Sequence, residues 1–448
     1  MRRGTGQPRT PDSSPAPQAS SSPHTPSTPP PAPSPPGGRH ASFSTESETT
    51  VSQTPTADQL RNRLVDDILS ERDLPSDVEQ AMRTVPRDTF LPGIDLKNAY
   101  TDQAVTIKDN PGQPLPLSCA SVPSVVAMML GQLAARPGDN VLEIGAGTGY
   151  NAALLAELVG GGRVTTLDID SDVALHARTT LNTAGYERVT VIERNGLLGA
   201  HEHAPYDRII ATVGVWDIPA TWWDQLADGG RLVLPLRWRG QTRSVALTRH
   251  GHQLVSDGME LCGFVPIIGQ NGEKTASLNA AETLRLHYDQ DQTIDTDTLT
   301  HTLQADNPAR EVLSAQRIGG EESFDGVWLR ATAHDDRVCR LEATPEAMEQ
   351  ALIRRPTTPA RTPALIDDGS LAYLTVTRED ADPQRPFRLG ATAYGPRGEE
   401  LARDLVAHID AWGAARLAVP RLTITPSNTG GALGHTVNKP ETRMTLTY

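Results

Sequence analysis

The chain has 448 residues and a formal net charge of −14, and 37% of its residues are hydrophobic. This length allows two folded units with a sizeable core. The acidic balance argues against a nucleic-acid partner, because a phosphate backbone attracts basic surfaces. The three cysteines (Cys119, Cys262 and Cys339) lack metal-ligand spacing, and no apolar stretch is long enough to span a bilayer. We therefore predict neither a metal site nor a membrane segment.

Residues 1–55 are rich in proline, serine and threonine, and 12 of the 36 prolines lie before residue 37. A segment of this kind buries too little apolar surface to fold, so we predict a disordered tail. The opening residues "MRRG" are basic, but a polar tract follows them where a secretory signal would need an apolar core. This pattern predicts a cytoplasmic protein.

The region after the tail is predicted to begin with two short helices, over residues 57–71 and 77–84. Thr56 and Gln59 have the spacing of a capping box at the first of them. A helix over 125–133 then leads into a strand, a glycine loop, a helix and a second strand. Further strands are predicted at 188–194, 206–212 and 230–237, with helices at 172–184 and 219–227. Strands that alternate with helices indicate an α/β fold with a doubly wound, mostly parallel sheet.

The pattern changes after about residue 240. Residues 244–256 are typical of a hairpin, and one long amphipathic helix is predicted over 398–413. Short strands are predicted at 326–332, 371–377, 421–426 and 442–448. We therefore expect a catalytic domain over 56–271 and a separate C-terminal α+β domain over 272–448.

The glycine loop favours one nucleotide cofactor over another. A dinucleotide-binding loop has the spacing G-x-G-x-x-G, whereas Gly145, Gly147 and Gly149 follow G-x-G-x-G, with Tyr150 where a third glycine would stand. Glu143 adds an acid inside the preceding strand. It would repel a pyrophosphate but attract a cationic amino acid, and S-adenosylmethionine carries both an ammonium and a sulfonium. The alternative is a carboxylate turned to solvent and glycines that serve only a tight turn.

Three more residues follow strands at the edge where doubly wound sheets bind ligands. Asp168 ends the second strand, where a carboxylate can accept hydrogen bonds from two ribose hydroxyls. Asn195 and Gly196 follow the third strand, and the Asn195 amide can meet an adenine edge as donor and acceptor. An ordinary turn asparagine is the competing interpretation.

Several blocks in order resemble the protein-L-isoaspartate O-methyltransferases. They are "VPRDTFLPG", "NAYTDQAVTI", "SVPSVVAMML", "VLEIGAGTGYNAALLAELVG" and "APYDRIIATVGVWDIPATWWDQLADGGRLVLPL". The resemblance spans roughly residues 56–240. It implies a seven-stranded methyltransferase fold and methyl transfer from S-adenosylmethionine to a peptide carboxylate.

The resemblance also implies a catalytic serine. The family signature Ser-Gln-Pro corresponds here to Ser121, Val122 and Pro123, so valine replaces glutamine while the hydroxyl is kept. Ser118 is the rival candidate. The alternative role for Ser121 is to cap the helix that follows it.

The long C-terminal region resembles extended relatives associated with lanthipeptide biosynthesis. That resemblance implies methylation of an aspartate in a cyclised precursor peptide, followed by closure to succinimide and opening to aspartate or isoaspartate. The C-terminal domain would then recognise the peptide, or else stabilise the fold or form a dimer. General repair of isoaspartyl proteins, or a cofactor-binding partner without turnover, remain as alternatives.

Overall fold

A computed structural model describes residues 54–448 apart from 112–115, 305–308, 351, 380–381 and 430–433. The predicted tail over 1–55 lies outside the described residues except for its last two positions. Residues Pro55–Tyr448 form one compact unit.

The N-terminal elements pack on one side of the catalytic region. Thr56 and Gln59 form the predicted capping box, with hydrogen bonds in both directions. Leu64, Val65 and Ile68 are the buried stripe of the first helix. The elements are α1 (Ala57–Glu71), α2 (Ser76–Thr84), α3 (Leu96–Ala99), β1 (Val105–Lys108), β2 (Ser118–Ala120) and α4 (Pro123–Leu133), and β1 pairs antiparallel with β2.

The central sheet is doubly wound, as the alternating pattern predicts. Its elements are β3 (Val141–Ile144), α5 (Tyr150–Val159), β4 (Val164–Asp168), α6 (Ser171–Thr183), β5 (Thr190–Glu193), β6 (Tyr206–Ala211), α7 (Ala220–Gln225), β7 (Leu226–Trp238), β8 (Gln241–His250) and β9 (Gln253–Leu261). The strand order is β5-β4-β3-β6-β7-β8-β9, parallel as far as β7 and antiparallel from there. The chain order reverses direction at β3, so the ligand-binding crevice is expected above its carboxyl end.

Apolar clusters cover both faces of this sheet. Val141 packs with the helices of one face, and its neighbour Leu142 packs on the other, as strand geometry requires. The second cluster also contains Leu329, Leu422 and Leu446 from the C-terminal region. The catalytic core is therefore continuous with residues far beyond the predicted boundary at 271.

The C-terminal region builds a second sheet and also extends the first. Its elements are β10 (Glu273–Ser277), β11 (Leu284–Asp289), α8 (Thr296–Gln304), β12 (Arg310–Ile318), α9 (Asp325–Thr332), β13 (Val338–Ala343), α10 (Pro345–Glu349), β14 (Thr362–Asp367), β15 (Ser370–Arg378), β16 (Phe387–Tyr394), α11 (Gly398–Gly413), β17 (Arg421–Pro426), β18 (His435–Asn438) and β19 (Thr442–Thr447). The second sheet has the order β10-β11-β13-β14-β15-β16-β12. Strands β17, β19 and β18 continue the first sheet beyond β9 and bring it to ten strands.

One predicted strand in this region is wrong. Residues 326–332 lie in helix α9 instead, with Val327, Trp328, Leu329 and Ala331 buried. A short apolar run that is buried on most sides lacks the periodicity that separates helix from strand. Within the described residues no helix is long and apolar enough to cross a membrane.

Candidate active site

The glycine loop follows β3 and turns back toward β4. Gly145 has a φ of 99°, and its N–H donates to the carbonyl of Leu167 at 2.8 Å. A Cβ at Gly145 would lie 2.6 Å from Thr212 Oγ1, so a side chain there would force a shift. Gly147 has a φ of 52°, and a Cβ there would meet nothing closer than the Cys119 carbonyl oxygen at 3.8 Å. The loop backbone at Gly147 is therefore bare on the side that faces the cavity.

Asp168 closes this loop from the end of β4. One carboxylate oxygen accepts a hydrogen bond from the Gly147 N–H at 3.2 Å, and the other accepts from the Asp170 N–H at 3.1 Å. Burial raises the pKa of the Asp168 carboxyl above its usual value. Its place at the carboxyl end of the strand agrees with the sequence prediction.

Glu143 is fully buried in the middle of the sheet. Asn151 Nδ2 donates to one of its oxygens at 2.7 Å, and Thr166 Oγ1 donates to the other at 2.6 Å. Burial raises the pKa of Glu143 to about 7. The alternative of a carboxylate turned to solvent is therefore wrong, because this group faces the protein interior and the cavity wall.

Asn195 and Gly196 follow β5 in a short turn. The Asn195 Oδ1 accepts a hydrogen bond from the Leu197 N–H at 3.0 Å, so the side chain caps the turn and leaves its Nδ2 for a ligand. The interpretation as a turn asparagine is confirmed for Oδ1, and the contact with adenine stays a prediction for Nδ2. A Cβ at Gly196 would lie 2.6 Å from Ile144 Cγ2, which explains a glycine at this close approach.

These residues line one cavity, which we call the inner cavity. Its wall holds all the residues predicted for the cofactor, namely Glu143, Gly145, Gly147, Asp168, Asn195 and Gly196. Ser118 and Ser121 line it as well. Within the part of the chain that the structure describes, no group of three or more metal-ligating side chains is placed to hold a metal ion.

The segment that follows β9 forms another wall of the inner cavity, which the sequence did not indicate. The Gly214 N–H donates to the Val265 carbonyl at 2.7 Å, and the Ile267 N–H donates to the Gly214 carbonyl at 2.9 Å. This pairing carries Phe264 and Ile268 over the cavity. The contact joins residues about 50 positions apart, and no sequence motif marks either segment.

Lys108 makes a second contact that the sequence did not indicate. Its Nζ lies 2.8 Å from Asp170 and 2.9 Å from Asp172. The ion pairs tie β1 to the start of α6, beside the predicted ribose site. Asp170 can be found from the sequence as a helix N-cap, but Lys108 lies in a stretch without periodicity.

Ser121 lies between the end of β2 and the start of α4. The residue at the N-cap is Val122, and its side chain makes no capping hydrogen bond. Asp102 holds the first turn instead, since its two oxygens accept from the Ser124 N–H at 2.8 Å and the Ser124 hydroxyl at 2.7 Å. The capping role for Ser121 is therefore wrong. Its hydroxyl makes no hydrogen bond to any described residue.

Arg87 supports the backbone of the Ser121 segment through hydrogen bonds. Its Nη2 donates to the Ser121 carbonyl at 3.1 Å, and its Nε donates to the Ala99 carbonyl at 3.0 Å. The guanidinium stacks over the Tyr150 ring at 5.3 Å. Arg87 is 1% exposed, and burial lowers its pKa. The sequence placed Arg87 in a recognised block but gave it no role.

A second cavity, which we call the outer cavity, meets the inner one at Ser121. Cys119, Ser121, Phe264 and Val265 line both cavities, whereas Ser118 lines only the inner one. The other outer-cavity residues come from β1, the start of α4, β7 to β9, the connections beside these elements and the C-terminal region. Among them are Val122, Arg237, Glu273, Trp328, Arg340 and Arg361.

Comparison with known proteins gives this site a family. The model of the family described as protein-L-isoaspartate(D-aspartate) O-methyltransferase matches residues 59–272. The protein-L-isoaspartate O-methyltransferase of Hyperthermus butylicus is 39% identical over 226 residues, which are 48% of this chain and 90% of that protein. The chain belongs to this family. The enzyme of Methanoregula boonei is also 39% identical, over 49% of this chain and 96% of its own.

Two solved structures resemble the chain more distantly. A protein-L-isoaspartate O-methyltransferase has a TM-score of 0.44 at 19% identity and covers 86% of this chain and 99% of its own. A Plasmodium falciparum structure, described as a putative member in complex with S-adenosyl-L-homocysteine, has a TM-score of 0.41 at 20% identity. It covers 47% of this chain and 99% of its own.

Family membership confirms two predictions from the sequence. The protein-L-isoaspartate O-methyltransferases are carboxyl O-methyltransferases that use S-adenosylmethionine, so the predicted enzyme class and cofactor are confirmed. The family match ends at residue 272, whereas Trp328, Arg340 and Arg361 of the outer cavity lie beyond it.

Proposed function

We propose that Ser121 binds the carboxylate of a peptide substrate at the junction of the two cavities, and that the methyl group of S-adenosylmethionine is transferred to it there. The observation that carries this proposal is the position of Ser121, which lines both cavities and whose hydroxyl has no hydrogen-bond partner among the described residues. A group in the inner cavity and a group in the outer cavity would meet only beside this hydroxyl and its neighbours Cys119, Phe264 and Val265.

The inner cavity has the chemistry that the cofactor requires. The Asp168 carboxylate can accept hydrogen bonds from ribose hydroxyls, and the buried Glu143 carboxylate can offset an ammonium. The missing Cβ at Gly147 leaves space where a side chain would intrude. When bound, S-adenosylmethionine supplies an electrophilic methyl group on a sulfonium.

The residues of the chain then need only bind and orient the carboxylate. A peptide carboxylate is ionised near neutral pH, so its attack needs no general base. Ser121 donates a hydrogen bond to one carboxylate oxygen and leaves the other free to attack. Alignment of this kind contributes several kcal/mol, up to about 7–11 in ideal cases. Phe264 and Val265 exclude water from the junction.

The names of the relatives favour an isoaspartyl carboxylate as the group that is methylated. A second candidate is an ordinary aspartate in a modified precursor peptide of the lanthipeptide kind. Two features favour it: Val122 stands where the family signature has glutamine, and part of the outer cavity comes from residues beyond the family match. In both cases the C-terminal region would recognise the peptide.

A radiolabelled methyl-transfer assay tests the proposal. The full-length protein is given an isoaspartyl peptide, the matched linear aspartyl peptide and a thioether-cyclised aspartyl peptide. Methyl ester on the isoaspartyl peptide alone would favour repair, and ester on the cyclised peptide alone would favour maturation. Mass spectrometry then follows the ester, which loses methanol as the next backbone amide nitrogen attacks and closes the succinimide.

Ser121→Ala is the decisive variant in this assay. We expect turnover to fall by roughly 10² or more, as for removal of one well-placed polar group at a reacting centre, while affinity for S-adenosylhomocysteine is kept. Ser118→Ala is the matched control, and its loss should be milder because Ser118 does not line the outer cavity. Equal losses in the two variants would contradict the role of Ser121. Cofactor binding without transfer to any peptide would favour a partner protein without turnover.

A further inference from the structure

Three arginines line the outer cavity, and we call them the arginine cluster. Arg237 comes from β7 of the methyltransferase sheet, Arg340 from β13 of the second sheet, and Arg361 from the residue before β14. The last two belong to the region beyond the family match at 272. The cluster therefore combines residues from both sheets.

Only part of the positive charge in the cluster is neutralised. Arg237 Nη2 donates to Glu273 Oε1 at 2.6 Å. Arg340 Nη1 makes a long contact to the Ala360 carbonyl at 3.4 Å and lies 3.9 Å from Glu342. Arg361 makes no side-chain hydrogen bond or ion pair with the described residues. Glu273 is the one acidic residue among the described residues that line this cavity, so the arginines are in excess by two.

The positive charges are close enough to disfavour one another. Burial lowers the pKa of Arg340, and the nearby guanidinium groups of Arg237 and Arg361 lower it further. The chain as a whole carries a net charge of −14, so a positive cavity goes against its overall balance. An anion in the cavity would relieve this repulsion, and guanidinium groups bind carboxylates through paired, charge-assisted hydrogen bonds.

The backbone of the catalytic region leaves space for two of these side chains. A Cβ at Gly240 would lie 2.5 Å from the Cβ of Arg340, and a Cβ at Gly263 would lie 2.6 Å from Arg361 Nη2. Both glycines also line the outer cavity. A side chain at Gly240 would therefore collide with the backbone of Arg340, whereas one at Gly263 would displace only the end of the Arg361 side chain.

We propose that the arginine cluster binds a second carboxylate of the peptide substrate, close to the carboxylate held by Ser121. The inference rests on the proposed function, because it takes the outer cavity as the place of the peptide. The substrate class is then a peptide with an acidic group beside the methylated residue. That group is either the side chain of a neighbouring residue or the C-terminal carboxylate of a short peptide.

The test compares peptides that differ in one charge. All carry the same reacting residue and an amidated C-terminus, with glutamate or glutamine on its N-terminal or C-terminal side. A further neutral peptide has a free C-terminal carboxylate. We expect kcat/KM for one acidic peptide to exceed that of its neutral partner by about tenfold, which corresponds to about 1.4 kcal/mol. The acidic peptide with the higher kcat/KM identifies the source of the second carboxylate.

Arg361→Gln is the test variant, because this exposed side chain has no partner to lose. We expect the ratio between acidic and neutral peptides to fall close to one, and Arg361→Lys to restore part of it. Arg421→Gln is the matched control: this exposed arginine begins β17 and lines neither cavity. The control should keep the full ratio.

Calorimetry keeps this test separate from the proposed function. Each peptide is titrated into the protein saturated with S-adenosylhomocysteine. Tighter binding of an acidic peptide that is lost in Arg361→Gln supports the cluster even if no peptide is methylated, an outcome that would overturn the proposed function alone. Equal binding of acidic and neutral peptides, or an unchanged preference in Arg361→Gln, would overturn the inference.

Discussion

Glu143 has an unusual combination of full burial and two hydrogen-bond donors. Burial dominates and raises its pKa from the ordinary value of 4.5 to about 7 in the structure without a ligand. The fold therefore favours the protonated form. Protonated Glu143 thus contributes to the free energy of unfolding. The contribution is fully present below about pH 4.5 and is lost as the pH rises through about 7. A bound ammonium would reverse the preference, since it favours the carboxylate.

Cofactor affinity should consequently depend on pH through Glu143. We expect S-adenosylhomocysteine to bind roughly tenfold more tightly at about pH 8 than at about pH 6, because the ionised fraction of Glu143 rises over that interval. Calorimetry at the two pH values measures the change. Glu143→Gln should bind weakly and lose most of the pH dependence. Asp168→Asn serves as the control, since it should weaken binding at both pH values and keep the ratio.

Three residues of the inner cavity could be predicted because each lies at or just beyond the end of a strand, at the ligand-binding edge of the sheet. Chain position alone is enough to place Gly145, Asp168 and Asn195 there. The partners of these residues could not be predicted in the same way. Lys108 and Asp170 lie 62 positions apart, and their ion pair depends on how β1 folds against α6. Single-sequence patterns report local periodicity and do not report such contacts.

The Ser121 segment is a short connection whose geometry is held by neighbouring elements. Asp102 fixes the start of α4 on one side through the Ser124 N–H and hydroxyl. Arg87 fixes the Ser121 carbonyl on the other side. The backbone around Ser121 is thus held in place, while its hydroxyl has no partner among the described residues. A rigid support of this kind can orient a reacting group.

Arg87→Lys tests the contribution of this support. Lysine keeps the charge but cannot donate to the Ala99 and Ser121 carbonyls from one planar group. We expect turnover to fall about tenfold at unchanged cofactor affinity, because misplacement of a positioning group raises the barrier to reaction. Arg63→Lys is the control, since its side chain is 80% exposed. A lower thermal midpoint with unchanged kcat would mean that Arg87 only stabilises the fold.

Elements with clear periodicity or capping signals agree with the sequence predictions. The capping box at Thr56 and the stripe of α11 are examples, because both depend on neighbouring residues alone. The segment of helix α9 was predicted as a strand because it is buried on several sides. Its apolar residues therefore form a continuous run without helical periodicity. Its burial is decided by the surrounding C-terminal region, which a local pattern does not contain.

The ten-stranded sheet joins strands from the middle of the sequence to strands from its last 30 residues. Strand β17 pairs with β9, and β19 and β18 follow it, so the last strands of the chain complete the methyltransferase sheet. Five of their apolar residues are buried, namely Leu422, Ile424, Val437, Met444 and Leu446. A truncation at residue 271 would therefore remove part of the catalytic core together with the second sheet.

Leu422→Ala measures this dependence with a single change. Leu422 is fully buried against the core of the catalytic region, so we expect a loss of about 2–5 kcal/mol in the free energy of unfolding. Leu417→Ala is the matched control, because Leu417 is 96% exposed. Chemical denaturation of both variants gives the comparison. If the two behaved alike, β17 would not contribute to the stability of the catalytic sheet.

The pairing of β17 with β9 also changes what kind of unit the second sheet is. Residues 273–420 leave the methyltransferase sheet after β9 and return to it at β17, so they form an insertion anchored at both ends rather than an appendage on one linker. A unit with two covalent crossings can hinge about the line that joins them but cannot rotate freely. Arg340 and Arg361 of the outer cavity belong to this doubly anchored insertion. A cavity wall anchored in this way would lose little conformational entropy on binding the proposed peptide, so the cavity would select its substrates by fit rather than by closing around them.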